Sequence, residues 1–175
     1  NMKKIVYIHT NNKQRLGAKL AKYAIEKYLT DKEIQVKELN VDSLEAFKNF
    51  AGTEYLRGGK TVSYDPKDLQ SFTLSRFMPP ELNGYEGRAM VIDPDIFALK
   101  DISPLLNMDM EDKALICCPK KDAFDTSMMV MDCAKLQHWS MSKILQDLKD
   151  KKADYVDTMT LKWQAVLQPN SIKTV

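Results

Sequence analysis

The sequence contains few cysteines and histidines, no excess of either charge and no long apolar run. Its three cysteines, in 175 residues, show no CxxC spacing, so we expect buried free thiols rather than a disulfide or zinc framework. Basic residues number 26 and acidic residues 24. That balance gives no argument for a nucleic-acid partner, and any attraction for an anionic partner must be local. No stretch approaches the roughly 20 apolar residues of a membrane helix. We therefore expect no integral membrane segment. The free thiols are typical of a reducing compartment, so we expect a cytoplasmic location.

The start of the chain predicts a βαβ unit within one domain spanning residues 1–175. The segment "KKIVYI" is typical of a buried strand, and "EIQVKEL" of a second one. Between them, Leu16, Leu20, Tyr23, Ala24 and Tyr28 recur near helical spacing. This order favours parallel strands in an α/β sandwich, with a mostly parallel sheet between two layers of helices. Ligands of such sheets bind outside the carboxyl ends of the strands.

The rest of the chain gives further strands and helices of unequal clarity. Residues 40–68 show scattered aromatics and a turn-rich "RGGK", which predict a long surface excursion with a flexible loop. "DLQSFTLSRF" has a helical pattern that two prolines close. "RAMVID", "KALICC" and "SMMVMD" indicate three strands. "AKLQHWSMSKILQDLK" predicts a helix, and a short helix around Thr158 to Trp163 precedes an extended tail.

Two aspartates end the strand "RAMVID". Asp93 and Asp95 flank Pro94, and side chains at i and i+2 of an extended segment point to the same side. Two carboxylates sharing one small volume repel each other unless a proton or cation lies between them, so the pair predicts a divalent metal site. The alternative is a polar turn in which Asp95 caps the next segment of the chain. Asp101, before "ISPLL", fits a helix cap.

A longer block around these aspartates resembles the family 8 glycosyltransferases, which have a GT-A fold. The family's run is an S/T-R-F segment, a P-E-L, a G-R, and a strand into D-x-D and D-I-x-x-L. A second block, "FDTSMMVMDCAKLQHW", is similar to the family's "fNSGvmlfD..k.r.W". The positions that match the two blocks in order are Ser75, Arg76, Phe77, Pro80, Glu81, Leu82, Gly87, Arg88, Asp93, Asp95, Asp101, Ile102, Leu105, Ser127, Met131, Asp132 and Trp139.

The resemblance implies a transferase that moves a sugar from a nucleoside diphosphate sugar, most commonly a UDP-sugar, with retention of configuration. It implies that Asp93 and Asp95 hold Mn²⁺ or Mg²⁺ against the donor diphosphate, where the cation neutralises charge on the leaving group. The acceptor is left open as a saccharide, a lipid or a protein. Two rivals are a non-catalytic nucleotide-sugar or carbohydrate binding protein and a nucleotidyltransferase. The second lacks support because no glycine-rich, lysine-bearing loop follows the first strand.

Position by position, the resemblance places other side chains along the donor. Arg76 would contact its sugar or phosphate, or else pair with Glu81 or another acid. Thr10, Asn11 and Asn12 would face the base and ribose, with a loop and helix-cap role as the equal alternative. We predict His9 to be a core histidine and His138 to face the surface.

The sequence departs from the family pattern in two places. Asp125 and Ser127 stand in the turn that faces the donor sugar, but Met128 replaces the usual glycine, which narrows the space for a ligand. In the tail, Asp154 and Asp157 match loosely a segment near the reacting centre and are the catalytic candidates. Relatives also carry a later histidine that completes the metal shell, whereas no histidine follows His138. We therefore expect a short or truncated domain whose metal relies on diphosphate oxygens and water.

Overall fold

A six-stranded sheet with helices on both faces organises the chain in a computed structural model that describes residues 1–175. The strands lie in the order β2-β1-β5-β7-β6-β8, and β3 and β4 form a separate hairpin. The strands are β1 Lys4–Thr10, β2 Gln35–Asn40, β3 Glu54–Arg57, β4 Lys60–Ser63, β5 Arg88–Ile92, β6 Leu115–Lys120, β7 Ala123–Asp132 and β8 Ile172–Thr174. The helices are α1 Arg15–Tyr28, α2 Glu45–Phe50, α3 Pro79–Leu82, α4 Ser103–Asn107, α5 Met141–Lys149, α6 Tyr155–Met159 and α7 Lys162–Leu167.

The alternation of side chains along β1 divides the core into two layers. Ile5 and Tyr7 belong to the larger apolar cluster on one face of the sheet, and Val6 and Ile8 belong to the smaller cluster on the other face. The smaller cluster packs against α1, and the larger one against α5 and the segments around it. The predicted three-layer sandwich is thus confirmed.

The sheet is mixed, because one long strand runs against its neighbours. Strands β2, β1 and β5 are parallel, and β6 and β8 are parallel, but β7 is antiparallel to both β5 and β6. Reversal of β7 brings its first half to the carboxyl end of β5. There Ile92 pairs with Met128, and the Asp93 N–H donates to the Ser127 carbonyl at 3.1 Å.

Residues 40–68 lie largely at the surface, as predicted, but they form helix α2 and the β3–β4 hairpin and are anchored on the core by a few buried side chains. Helix α2 buries Phe47 and Phe50, and the β3–β4 hairpin adds Tyr55. Tyr64 closes the group at 5.2 Å between ring centroids from Phe50. The aromatic side chains were scattered in sequence because a short helix and a hairpin supply them, and neither gives a long period.

Two predicted helices are shorter than their patterns. In "DLQSFTLSRF" only a 3-10 helix, Thr73–Phe77, forms. The Asn11 side-chain amide donates to the carbonyl oxygens of Asp68 and Leu69, which would accept backbone hydrogen bonds in an α-helix. The helix predicted from residue 134 begins at Met141, whose N–H donates to Glu81 Oε2 at 3.3 Å.

The outer face of α1 carries the large apolar residues. Ala18, Ala21 and Ile25 are buried against the sheet, whereas Leu16 and Tyr23 are exposed. The apolar spacing read from the sequence thus identified the helix but marked the face that points to solvent. No helix of this fold has the length and apolar character to cross a membrane.

The end of the chain differs from the prediction of one short helix around Thr158 to Trp163. Two short helices, α6 and α7, are separated there by Leu161, which has φ 63°, and the extended tail pairs as β8 with β6. All three cysteines are free thiols, with Cys118 half-buried. Burial raises the pKa of Cys117 and of Cys133 to about 12, so both are unreactive thiols at neutral pH.

Candidate functional site

The segment after β5 is a tight turn at the carboxyl ends of β1 and β5. The Ile96 N–H donates to the Asp93 carbonyl at 3.2 Å, with Pro94 fixing the second position of the turn. The expectation of an extended segment was therefore wrong, and the polar-turn alternative describes the backbone at Pro94 and Asp95. Asp93 turns inward and is mostly buried, while Asp95 is exposed and has no hydrogen-bonding or ionic partner in the protein.

Asp93 is held by two side chains from neighbouring elements. Arg76 donates from Nε to Oδ1 at 3.2 Å and from Nη2 to Oδ2 at 2.6 Å. His9, in β1, places its Nε2 2.5 Å from Oδ1. The Asp93 and Arg76 side chains are 14% and 13% exposed. This is a nearly buried, two-point ion pair, in which a carboxylate and a guanidinium meet in their preferred fork geometry.

Arg76 is itself oriented by Thr126, a residue of strand β7. Its Nη1 donates to Thr126 Oγ1 at 3.0 Å, and the Thr126 hydroxyl donates to the Met159 carbonyl at 2.8 Å. The ion-pair alternative for Arg76 is thus confirmed with Asp93 as its partner rather than Glu81. Three of the five guanidinium N–H groups are used inside the protein, so two remain for another ligand.

His9 is a core histidine, as predicted, and also part of this site. Its side chain is fully buried, lies edge-on to Phe72 at 4.7 Å between ring centroids, and has Nδ1 3.0 Å from Ser75 Oγ. Sequence reasoning assigned it to packing alone. The signal that could have placed it in the site is its position near the end of β1, beside the strand that carries Asp93.

Burial and charge act in opposite directions on the two titratable groups that meet here. Burial raises the pKa of Asp93, but His9 and Arg76 outweigh it and hold the pKa below its ordinary value. Burial lowers the pKa of His9, and the Arg76 charge adds to that effect against the attraction of Asp93. At neutral pH the buried site therefore contains a carboxylate, a guanidinium and a neutral imidazole, which balance in charge. Asp95 lies outside this balance, because it is exposed and has no ionic partner.

The two carboxylates can contribute to a metal site but do not form a complete one. The fold has no group of three or more His, Cys, Asp or Glu side chains placed to hold a metal ion. Asp95 keeps all of its lone pairs, and Asp93 Oδ2 accepts one hydrogen bond and keeps one lone pair. Oxygen donors of this type suit Mg²⁺ or Mn²⁺ when a bound ligand and water supply the other positions.

The three residues at the exit of β1 are largely used within the protein. Thr10 is buried and donates to the Asn11 carbonyl. Asn11 is buried as well, accepts the Gln14 N–H at 3.0 Å and so caps the helical turn that precedes α1. Asn12 is exposed and contacts Asn40 and Asp42. Asn11 thus has the helix-cap role that was the alternative to base binding. Of the three residues, Asn12 is the one exposed to a ligand.

Asp125 and Ser127 lie in the first half of β7, next to the Asp93 turn. Asp125 Oδ1 accepts the Ser127 N–H at 2.9 Å. Between them Thr126 points inward to Arg76, so the strand presents Asp125 and Ser127 on the other side. Thr126 was not among the predicted site residues, although either Asp125 or Thr126 could stand in place of the asparagine of the family's turn.

The two catalytic candidates of the tail, Asp154 and Asp157, make no hydrogen bond or ion pair with Asp93, Arg76 or His9. Asp154 accepts N–H groups from Gly58 at 3.0 Å, Gly59 at 2.8 Å and Val156 at 2.8 Å. It thereby caps α6 and fixes the β3–β4 turn, so "RGGK" is an anchored hairpin turn rather than a flexible loop. Asp157 is exposed and pairs with Lys162 at 3.3 Å. A catalytic role for either stays a prediction.

The remaining predictions concern His138 and Asp101. His138 is half-buried rather than surface-facing, because its Nε2 lies 2.6 Å from Gln164 Oε1 in a buried polar contact that also includes the Trp139 indole N–H. Asp101 accepts the Ser103 N–H at 3.0 Å at the start of α4, in agreement with the predicted cap.

Comparison with known proteins identifies relatives of this fold. The family model described as "Glycosyl transferase family 8" matches residues 3–168. Protein CDI of Arabidopsis thaliana is 38% identical over 63 residues, which are 36% of this chain and 24% of that protein. The solved structure of the glycosyltransferase GlyE from Streptococcus pneumoniae matches 100% of this chain and 45% of its own, at 14% identity and a TM-score of 0.64. The galactosyltransferase LgtC, solved with donor and acceptor sugar analogues, matches 98% of this chain and 73% of its own at 15% identity and a TM-score of 0.59.

These structural likenesses show the GT-A fold. The chain spans about half the length of GlyE and about a quarter of Protein CDI.

Proposed function

Because the chain belongs to glycosyl transferase family 8, we propose that it transfers a sugar from a nucleoside diphosphate sugar, with UDP-sugars as the expected donors, to a sugar-bearing acceptor. The observation that carries the proposal is the edge at the end of β5, where a buried Asp93–Arg76 pair adjoins the exposed carboxylate of Asp95. This edge lies at the carboxyl ends of two parallel strands, where α/β sheets bind ligands.

Arg76 is proposed to contact the donor directly. Two of its N–H groups are free of protein partners, and the contacts to Asp93 and Thr126 hold the guanidinium in one orientation before any ligand binds. A guanidinium that is oriented in advance loses less freedom on binding phosphate or sugar oxygens. Asn12, Asp125 and Ser127 are proposed to line the same donor crevice.

Asp95, together with the open lone pair of Asp93 Oδ2, is proposed to hold Mn²⁺ or Mg²⁺ beside the diphosphate. When bound, such a cation would neutralise the negative charge that grows on the leaving nucleoside diphosphate. The protein's own part is to keep Asp93 ionised, which the His9 and Arg76 contacts do. With two carboxylates as ligands, we expect weak metal binding without donor. We propose retention of anomeric configuration on the family resemblance.

Donor turnover tests this proposal. Release of UDP from a panel of UDP-sugars with Mn²⁺ is measured for the unmodified chain, Asp95→Ala and Glu45→Ala, the last being an exposed carboxylate on α2. We expect turnover to fall by about 10²-fold or more in Asp95→Ala, as when one charge-stabilising group is removed from an active site, and to stay unchanged in Glu45→Ala. Equal turnover in all three would refute the metal role of Asp95.

A non-catalytic nucleotide-sugar binding protein is the second candidate. It is favoured by the strong internal use of both Asp93 oxygens and by the commitment of Asp154 to capping. Thermal shift with UDP-sugars separates the two, because a ligand that binds the folded state stabilises it by mass action. Stabilisation without UDP release would support this candidate over the transferase.

A further inference from the structure

The outward face of α1 carries an apolar stripe with no partner in the fold. Leu16, Leu20 and Tyr23 occupy successive turns and are 72%, 53% and 68% exposed. Helical spacing of four and three residues places them on one line, opposite the buried face of the helix. Single exposed apolar residues are ordinary, but a line of three large ones on one helix is a contiguous patch of the kind that marks an interaction surface.

A neighbouring segment extends this patch. Residues 94–101 run along α1, since the Pro94 carbonyl lies against Gly17 near one end and Asp101 accepts the Thr30 hydroxyl hydrogen beyond the other. Within the segment, Phe97 is 47% exposed and Leu99 86% exposed. We call these five side chains, Leu16, Leu20, Tyr23, Phe97 and Leu99, the outer apolar patch.

Positive charge is concentrated around the patch. Residues 13–28 contain five basic side chains and one acidic one, and the segment 94–101 adds Lys100, Asp95 and Asp101, which gives six basic and three acidic side chains. The rest of the chain has 20 basic and 21 acidic residues. Glu26, the one acid within residues 13–28, lies 3.9 Å from Lys22. Lys19 and Lys27 are exposed beside the apolar line. The exposed face of helix α1 therefore combines an apolar line with basic side chains on its flanks.

We propose that the outer apolar patch docks the protein on an anionic lipid bilayer. A helix with this pattern lies in the interface plane, with leucine and aromatic side chains in the boundary between headgroups and acyl chains. Lysines beside it attract anionic headgroups, each contributing by its proximity to the surface. Tyr23 adds a ring whose hydroxyl can stay in the headgroup region.

A second copy of the chain fits the same face poorly. A two-fold dimer would bring the patch against itself, and so the lysines of one copy against those of the other. The cores of protein interfaces are depleted in lysine. A bilayer with negative headgroups removes that repulsion and turns the same lysines into favourable contacts.

The patch lies next to the proposed donor site, because Phe97 follows Asp95 by two residues on the segment that flanks α1. Taken together with the proposed function, on which this step rests, the arrangement points to an acceptor carried at a lipid surface. Vesicle binding is measured without donor, so that failure of docking and failure of donor binding are separate results.

Vesicle flotation tests the proposal directly. The full chain is mixed with vesicles of phosphatidylcholine, or of phosphatidylcholine with about 30% phosphatidylglycerol. The patch variant is Leu20→Ser with Tyr23→Ser, and its matched control is Val166→Ser with Leu167→Ser, which removes a somewhat more exposed apolar pair from α7. The charge variant is Lys19→Glu with Lys27→Glu, matched by Lys149→Glu with Lys152→Glu on another exposed surface.

We expect binding to the anionic vesicles that is about tenfold or more stronger than to neutral ones and that weakens with salt. Both the patch variant and the charge variant should reduce it about tenfold, and both controls should leave it unchanged. Circular dichroism and the melting temperature check that the variants fold. Unchanged binding of the patch variant, or equal binding to both vesicle types, would overturn the proposal. So would a concentration-dependent dimer in sedimentation velocity that the patch variant abolishes.

Discussion

Two aspartates of this protein, Asp93 and Asp154, are both held as anions, but by different kinds of donor. Asp154 is held by backbone amides of a hairpin turn and of α6. Asp93 is held by a guanidinium and an imidazole at the carboxyl end of two parallel strands. Burial raises the pKa of each, and the donors more than compensate, so each pKa lies below its ordinary value.

The difference between the two regions lies in what the donors can do besides holding the carboxylate. Backbone amides that cap a helix are fixed and have no further hydrogen to offer. Arg76 retains two N–H groups, and Asp93 lies next to the open carboxylate of Asp95. A lowered pKa is thus shared by both regions, and the chemistry of the donors is what marks the Asp93 region as the functional candidate.

Asp93→Asn should give the largest effect on stability. It leaves Arg76 with its charge nearly buried and without a counter-ion, and breaking such a pair costs about 3–5 kcal/mol in the free energy of unfolding. Urea denaturation at neutral pH measures it. Asp95→Asn is the matched control, and because Asp95 is exposed and unpaired we expect a change below about 0.5 kcal/mol. Equal effects of the two variants would contradict the distinction between the two carboxylates.

Arg76→Lys should have a smaller effect on stability and a clear effect on donor binding. Lysine keeps the positive charge near Asp93 but loses the fork and the contact to Thr126. Loss of a hydrogen bond to a charged group costs about 1.5–3 kcal/mol. Denaturation and thermal shift with UDP-sugars measure the two effects. A variant that keeps full donor-induced stabilisation would argue against donor contact by Arg76.

Asp154→Ala should reduce stability without changing donor binding. The substitution removes the cap of α6 and the anchor of the Gly58–Gly59 turn, and loss of an N-cap costs about 0.5–2 kcal/mol. Melting temperature and donor-induced shift are measured together. Asp157→Ala, which removes an exposed carboxylate three residues away, serves as the control for charge. If UDP release falls in Asp154→Ala while its fold stays intact, the tail contributes to catalysis after all.

The pH dependence of stability should separate the regions with the smallest effect. The pKa of His9 in the folded protein is lowered from its ordinary value of about 6.5. At pH values between the folded pKa and about 6.5, His9 therefore binds a proton in the unfolded chain but not in the folded one. His9 therefore contributes stability above pH 6.5 that is lost as the pH falls towards the folded pKa. The same sign holds for Asp154, but only below its ordinary pKa of about 3.8. The free energy of unfolding should fall as the pH is lowered from 7 to 5 in the unmodified chain, and it should fall less in His9→Gln. A flat curve in the unmodified chain would contradict a neutral, buried His9.

The sequence allowed the layered fold to be predicted, because it follows from local patterns, and the place of the candidate site follows from that fold. Alternation in "KKIVYI" and the βαβ order determine the sheet, and the carboxyl edge follows from it. The detailed geometry of the site depends on contacts between residues far apart in sequence. Asp93 turns inward because Arg76 and His9 meet it there, and neither contact has a local signal.

Contacts between distant residues also explain where the helix predictions failed. The large apolar residues of α1 lie on its outer face. Its inner face carries small residues, Ala18 and Ala21, because the helix packs closely on the sheet. The 3-10 helix at Thr73–Phe77 replaced an α-helix because a side chain from the end of β1 competes for its carbonyls. In both cases tertiary contacts overrode a local preference.

Calorimetric titration of UDP into the protein with Mn²⁺ present is the decisive test of whether the Asp95 edge binds a metal and a diphosphate together. The unmodified chain, Asp95→Asn and Glu45→Gln are compared, each with and without Mn²⁺. We expect binding of UDP that requires Mn²⁺, is retained in Glu45→Gln and is weakened at least about tenfold in Asp95→Asn, as for loss of one metal ligand. Equal, Mn²⁺-independent binding of UDP by all three chains would contradict a shared metal and diphosphate site at this edge.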